Sequence, residues 1–425
     1  MKLYQIPCSK KFISIQIPDN VPVQWIESRK IAPVPDVRKA VEESLSRPIG
    51  TSPLRKLVKP NQTVALVVTD ITRQLPEEII LPLLLRELEA GGIKKQDITA
   101  VVATGTHRPN TPEELKKKFG DIVNEISFIN HDPYDSKGLV ELGTSSSGIP
   151  LVFNRAVAEA DIRISTGVIE THLFAGYSGG VKSIAVGVAG EKTIAATHNY
   201  QMLQQTRLGI VEGNEFRRFL TEATQAVGLH FIINVVQNGK KEVVKVVAGD
   251  PVKAFDEGVK TARHLYEVEI DQPGEIVVSG VSYPKSRDLY QATRAANVVV
   301  FGPQPVVSKG GVILIPAPCE DGCGHPGYCT IMKRSEDADD VIAISREEGF
   351  APGEQKALIL AWILKQARIV MTDCSLPGET LKEIHLESGA TLQEALNREL
   401  KRNPKARVVL IPDGLLTLPI LKRDL

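Results

Sequence analysis

A chain of 425 residues is longer than one hydrophobic core usually supports, which points to two domains. Basic and acidic side chains number 51 each, so no global field favours nucleic acid or an anionic membrane, and any affinity for anions has to be local. A hydrophobic fraction of 42% with 24% charged residues is that of a globular protein, not a disordered one, and no run of about 18 apolar residues marks a membrane span.

The opening MKLYQIPCSKKFISIQIPDN lacks the apolar core of a signal peptide, and residues 2 to 17 alternate as one or two strands do. Five cysteines are an odd number in a long chain, which argues for reduced thiols; the expected location is cytoplasmic. The stretch from Ile31 to Asn61 is helical in part and then rich in turns. It leads into TVALVVTD, an apolar β-branched run of the kind a buried parallel strand shows, ending at Asp70. ITRQLP follows, then the helical stripe EEIILPLLLRELEAGGI with Pro82 inside and a Gly-Gly stop. A second buried strand, ITAVVATGTH, ends at His107, and T-P-E-E at Thr111 caps the next helix.

Asp70, Arg73 and His107 thus lie beyond strand ends, where open α/β sheets bind ligands. ADIRISTGVIETH repeats the pattern and presents Glu170 and His172 at its exit. The stretch Glu170 to Tyr200 then sets Lys182 and His198 among glycine- and alanine-rich segments that let backbone approach a ligand closely. The loop Gly176 to Val186 opens a helix whose amides suit a phosphate. FIINVVQNGKKEVVKVVAGD predicts a hairpin around Asn238-Gly239, and PVKAFDEGVKTARHLYEV a helix.

The DQPGE turn is the candidate boundary, giving domains of residues 1–272 and 273–425. Beyond it the alternation restarts with EIVVSG, the helix SRDLYQATRAANVV, then GGVILIPAP, ARIVMTD and ARVVLIPDG, a second α/β unit of about 150 residues. Tyr290, Gln291 and Arg294 share one face of the expected helix. In PCEDGCGHPGYCT the thiols Cys319, Cys323 and Cys329 accompany His325, but spacings of four and six depart from the paired C-x-x-C of zinc sites, and the segment has no assigned role.

Several chemistries fail on the central stretch. SGGVKS interposes Val181 where a nucleotide-hydrolase loop needs glycine followed directly by lysine, AVGVAGEK matches a dinucleotide fingerprint only in part, and no H-E-x-x-H is present. A lysine amid small residues remains, suited to a covalent bond with a carbonyl-bearing cofactor or substrate. A lysine-dependent Schiff-base aldolase or lyase uses the same residue, and a non-catalytic ligand-binding protein is the third reading. The last gives no reason for histidines, an arginine and a lysine at strand exits.

The segments VTDITR, TGTHR, THLFAGYSGGVKS, ATHN and YQATR, in that order, resemble those of the lactate racemase family, the enzymes that use a nickel-pincer nucleotide. The resemblance covers nearly the whole chain. It implies two α/β domains with mainly parallel sheets, an active site in the cleft between them, and racemisation or epimerisation of a 2-hydroxy acid by hydride transfer from C2 through a 2-keto acid. It further implies that Lys182 holds the cofactor, a pyridinium mononucleotide with two sulfur-bearing arms, that His198 is the single protein ligand to Ni(II), and that Ser178, Gly179 and Gly180 cradle its phosphate. His107 and His172 correspond to the paired acid–base histidines, Arg73 to the carboxylate ligand, and Asp70 to a residue orienting a histidine or Arg73. Tyr290 and Gln291 match substrate-side positions, while Arg294 stands where the lactate enzymes carry lysine. Charge is kept and shape is not, which favours a more polar acid such as malate. The implied partners are a small 2-hydroxy acid and the proteins that synthesise the cofactor, with neither nucleic acid nor membrane.

Overall fold

Val64–Thr69 is buried along its whole length, as a chargeless β-branched run between two layers of helix should be. It lies within a six-stranded sheet whose order in space is Val243–Gly249, Phe231–Gln237, Ile162–Val168, Val64–Thr69, Ile98–Ala103, Ser127–Asn130. Numbered along the chain these strands run 6-5-4-1-2-3, all parallel except the closing hairpin of Phe231–Gln237 with Val243–Gly249. The order reverses between Val64–Thr69 and Ile162–Val168. Their carboxyl ends therefore flank the crevice where doubly wound sheets bind ligands.

The structure is a computed structural model and describes residues 1–351 and 353–422. The sheet above belongs to a unit formed by Lys30–His198 and Val211–Leu265. Helix Glu77–Ala90 covers one face with Ile80, Leu81, Leu84 and Leu88, a burial that offsets the backbone bond lost at Pro82. Helix Pro112–Phe119 opens with the expected capping box, Thr111 and Glu114 each bonding the other's backbone amide. The hairpin turn is closed by Asn238, whose side-chain oxygen accepts from the amides of Lys240 at 3.0 Å and Glu242 at 3.1 Å.

The other unit takes Met1–Arg29, Asn199–Ile210 and the chain from Tyr266 onward. Its sheet is parallel throughout, in the order Glu387–Gly389, Ala367–Thr372, Val307–Pro316, Gly274–Ser279, Val408–Ile411, Val23–Trp25. The opening residues group here for a packing reason. Val23–Trp25 adds a strand to Val408–Ile411, and Ile6, Ile15 and Ile17 share a core with Val278, Leu314 and Leu410. The units are therefore not two consecutive halves of the chain.

The segment expected as one helix, SRDLYQATRAANVV, is three short pieces: Leu289–Ala292, a tight turn over Thr293–Ala296, and Asn297–Val300. Thr293 turns its hydroxyl back onto the Leu289 carbonyl at 2.6 Å, which bends a ladder already weak in a β-branched run. All five cysteines are free thiols, and among the described residues no helix is long and apolar enough to cross a membrane.

Candidate active site

The crevice begins at the exits of the two central strands. Asp70 follows Thr69 directly and is 4% exposed. Burial works against its charge, but hydrogen bonds from His107 and Thr72 outweigh it and hold the carboxyl below its ordinary value. One oxygen takes the Thr72 amide at 3.1 Å and hydroxyl at 2.6 Å; the other meets His107 Nδ1 at 2.7 Å. Arg73 reaches the facing strand exit and pairs with Glu170 at 2.5 Å. Glu77, fully buried, ties the same strands together: it accepts from the Thr69 amide and hydroxyl at 3.0 Å each and from the Thr166 hydroxyl at 2.5 Å. Lys118 neutralises it at 3.0 Å and donates to the Arg73 carbonyl at 2.7 Å.

The two exit histidines are held in opposite proton arrangements. Against a carboxylate that only accepts, His107 carries its proton on Nδ1, which leaves the Nε2 lone pair open. His172 Nδ1 instead accepts the backbone amides of Phe174 and Ala175, both at 3.2 Å, so the neutral ring carries its proton on Nε2. One ring is set as a base and the other as a donor.

Lys182 begins a single helical turn, Lys182–Ala185, after the loop Ser178-Gly179-Gly180. Gly179 and Gly180 have φ of +79° and +58°, and an added Cβ would lie 2.8 Å from Asn234 Oδ1 at the first and 2.8 Å from the Phe255 ring at the second. Only glycine fits both positions. The Ser178 hydroxyl donates to the Val168 carbonyl at 2.7 Å, and the Gly180 amide donates to Asn234 at 2.7 Å, so both groups fix the shape of the loop. Burial first, and the charges of Arg73 and Arg217 next, pull the Lys182 amine from 10.5 down to about 7. The charges of Asp70 and Glu170 oppose the shift without overcoming it.

Arg217 comes from the helix Glu215–Val227, where it sits buried at a core position. It stacks on Phe255 at 4.1 Å and donates to the carbonyls of Ala175 and Tyr177. Among the described residues its Nη1 is buried without a partner. The residue stands out in the sequence only as a charge on the apolar stripe of EFRRFLTEATQAV, and Asn234 only as a polar residue in the apolar strand FIINVV.

His198 ends the helix Glu191–Thr197. Phe174 and Phe216 each meet it edge-on at 5.5 Å, and Phe174 also touches the His172 ring at 5.9 Å. Burial pushes the imidazole down to about 4, so it is neutral at pH 7. Its Nδ1 lies 3.0 Å from the Ile194 carbonyl, an acceptor only, which fixes the proton on Nδ1 and the lone pair on Nε2. Metal-binding histidines are oriented in this way, by a backbone carbonyl on the far nitrogen. Among the described residues no group of three or more His, Cys, Asp or Glu side chains is arranged to hold a metal ion.

All the site residues expected from the N-terminal segments therefore gather in one unit. Tyr290, Gln291 and Arg294 belong to the other; they do not share one helix as expected, since Asp288 caps Leu289–Ala292 through the Gln291 amide at 2.8 Å while Arg294 lies in the following turn and donates from Nη1 to Gln291 Oε1 at 3.0 Å.

Residues 8–210 match the family model of the lactate racemase N-terminal domain, and residues 268–418 that of the lactate racemase C-terminal domain. The lactate racemase of Thermoanaerobacterium thermosaccharolyticum is 32% identical over 421 residues, 96% of this chain and 97% of that protein. The lactate racemase of Lactiplantibacillus plantarum is 33% identical over 386 residues, 89% of this chain and 90% of that one. Among solved structures, the lactate racemase apoprotein from Thermoanaerobacterium thermosaccharolyticum superposes with a TM-score of 0.90 at 31% identity, covering 99% of this chain and all of that one. A Thermotoga maritima protein, at a TM-score of 0.67 and 20% identity over 93% of this chain and 100% of its own, shares the fold.

Proposed function

The chain belongs to the lactate racemase family and is an isomerase of the racemase kind, and from that premise we propose that it inverts C2 of a lactate-like 2-hydroxy acid through a planar 2-keto acid. We infer that Lys182 carries a nickel-pincer nucleotide on its side-chain nitrogen and that His198 Nε2 is the protein ligand to its Ni(II). That group, when bound, supplies the centre that takes a hydride from C2 and returns it to the opposite face.

The observation that carries the reading is a buried near-neutral amine, Lys182, in the same unit as a buried neutral imidazole, His198. An amine brought down to about 7 is about half uncharged at neutral pH and can form an amide-type bond, whereas an ordinary lysine is almost wholly protonated there. Close by stands an imidazole held neutral, its Nδ1 committed to a carbonyl and its Nε2 lone pair directed elsewhere. One imidazole would suffice as the chain's own contribution, because the cofactor would bring the remaining donors to the metal. Ser178, Gly179 and Gly180 are proposed as the phosphate end of the cradle. Since the Ser178 hydroxyl and the Gly180 amide have protein partners, their part is to hold its form.

The chain's own groups account for the remaining steps. The Arg73 fork binds the substrate carboxylate, with Glu170 steadying one side of the guanidinium. His107 Nε2 accepts the hydroxyl proton as C2 flattens, and Asp70 stabilises the imidazolium that results. His172 presents Nε2–H to the substrate oxygen; to act as base for the other enantiomer it must first give up that proton, so the two histidines are not interchangeable. Tyr290, Gln291 and Arg294 are proposed as substrate contacts from the C-terminal half, Arg294 favouring a second carboxylate as in malate. The same reading has cofactor-synthesis proteins as partners and a cytoplasmic place.

The test is the mass of the Lys182 peptide from chain produced together with the cofactor-synthesis proteins. It should carry the nucleotide, and Lys182→Ala should carry none. An unmodified Lys182 in fully active protein would overturn the assignment.

A further inference from the structure

Lys356 lies in the first turn of the helix Gln355–Gln366, among residues that are otherwise apolar core. Its side chain is 3% exposed, and among the described residues its Nζ has no hydrogen-bond partner. A buried ammonium without a partner is costly. Burial and the positive charge of Arg294 bring the amine down to about 7, with Asp288 alone opposing. Asp288 makes no ion pair with it among the described residues, and one of its oxygens takes the Gln291 amide at 2.8 Å.

The Lys356 ammonium stands 5.9 Å from the centre of the Tyr290 ring. His325 meets the same ring at 5.9 Å, and among the described residues its Nδ1 is also buried without a partner. Gly353 makes room for that imidazole: a Cβ there would lie 2.4 Å from His325 Nε2. Among the described residues, two buried nitrogens without partners thus neighbour one aromatic ring, and the charge of Arg294 acts on the lysine. Metal cations are repelled by such a set, and an apolar ligand leaves both nitrogens unsatisfied. An anion with several acceptor oxygens satisfies them together.

We propose that Lys356, His325 and Arg294, arranged around Tyr290, form a binding site for an oxyanion, a carboxylate or phosphate group, within the C-terminal unit. The CEDGCGHPG segment then has a role, since it delivers His325. Two sources supply this chemistry under the racemase reading, a second carboxylate of the substrate or a phosphate. Binding itself does not depend on that reading and is measurable without turnover.

The test is calorimetric titration of the full chain, produced without the cofactor-synthesis proteins, with inorganic phosphate, malate and lactate. Each titration is run at pH 8 in two buffers of different ionisation heat. Wild type should bind phosphate or malate and take up protons from the buffer, because the anion draws Lys356 into its charged form. Lys356→Met should weaken binding by about 10- to 100-fold, the loss expected for one charge-assisted hydrogen bond, and abolish the uptake. Lys356→Arg should restore binding without the uptake. Malate bound in preference to phosphate assigns the site to substrate, and the reverse assigns it to a phosphate group. Thermal melting without anion guards against misfolding: Lys356→Met, freed of a buried unpaired ammonium, should melt no lower than wild type. No binding of either anion by wild type, or equal affinity and uptake in Lys356→Met, would overturn the site.

Discussion

Replacing Asp70 by Asn keeps the shape of the site and changes only what the side chain can accept. The wild-type carboxylate accepts on both sides, from Thr72 through one oxygen and from His107 Nδ1 through the other. An amide cannot do both. If its oxygen stays on Thr72, its NH2 faces His107 Nδ1, and the ring must move its proton to Nε2, where the base is lost. If it flips, an NH2 opposes the Thr72 amide in a buried position, a mismatch worth about 1–3 kcal/mol, or roughly 10- to 100-fold in the base-ready population. Either way the imidazolium formed in the reaction loses its counter-charge. The expected loss is about 10²- to 10⁴-fold in turnover, the range for general-base removal and for the same change behind the histidine of serine hydrolases. The assay is chiral chromatography of cofactor-loaded variant and wild type, with nickel content and melting temperature as controls. A variant turning over within about threefold of wild type at full loading would refute the argument. Asp70 also makes a pH prediction. Its folded-state value is depressed, so its contribution to stability is present above the ordinary carboxylate value and is lost as pH falls through the lowered one. Asp70→Asn should flatten acid unfolding in that window.

Four further outcomes are expected. His198→Ala should lose nickel, whereas His107→Ala and His172→Ala should keep it and lose about 10²- to 10⁴-fold in turnover; equal nickel loss in all three would mean the roles are misassigned. Lys182 should titrate near 7 by isotope-labelled reductive methylation of the cofactor-free chain; because 7 lies below the ordinary 10.5, the folded state binds fewer protons between those values and stability rises with pH across them, a rise that Lys182→Met should reduce. Borohydride trapping of a substrate on that amine in metal-free protein would favour a Schiff-base lyase instead. Glu77→Ala leaves Lys118 and two threonines without their buried acceptor and should cost about 3–5 kcal/mol in urea unfolding, and a loss under about 1 kcal/mol would show the cluster to be dispensable. Chain made in a host without the cofactor-synthesis proteins should be folded, nickel-poor and inactive, and full activity there with nothing added would count against the cofactor.

What the sequence revealed and what it hid follow from the range of the interactions involved. Asp70, Arg73, His107, Glu170 and His172 were visible because buried strands announce themselves by composition and the residues after them fall at the sheet's carboxyl edge. Lys182 was visible because its loop needs glycine at two positive-φ positions. Arg217, Asn234 and Glu77 were not, since each is a polar residue inside an apolar pattern whose partner lies on another element. The opposite proton arrangements of His107 and His172 also depend on such partners, a carboxylate in one case and two amides in the other. Lys356 is one lysine ahead of the apolar run ALILAWIL, and only packing shows it buried and, among the described residues, unpartnered. Residues 2 to 17 were read as one or two strands and form two, but alternation does not say which unit a strand joins.

The central claim is inversion at C2 of a 2-hydroxy acid, and chiral chromatography of cofactor-loaded chain tests it most directly, with single enantiomers of lactate, malate and 2-hydroxyglutarate as substrates. The account predicts that at least one of these pure enantiomers is driven to an equal mixture, and that Arg294→Lys moves the preference among them toward lactate. Highest efficiency on lactate with an unchanged preference in Arg294→Lys would remove the proposed role of Arg294 in selecting a second carboxylate. Chain that carries its full complement of nickel on modified Lys182 and leaves every 2-hydroxy acid unaltered would contradict the claim itself.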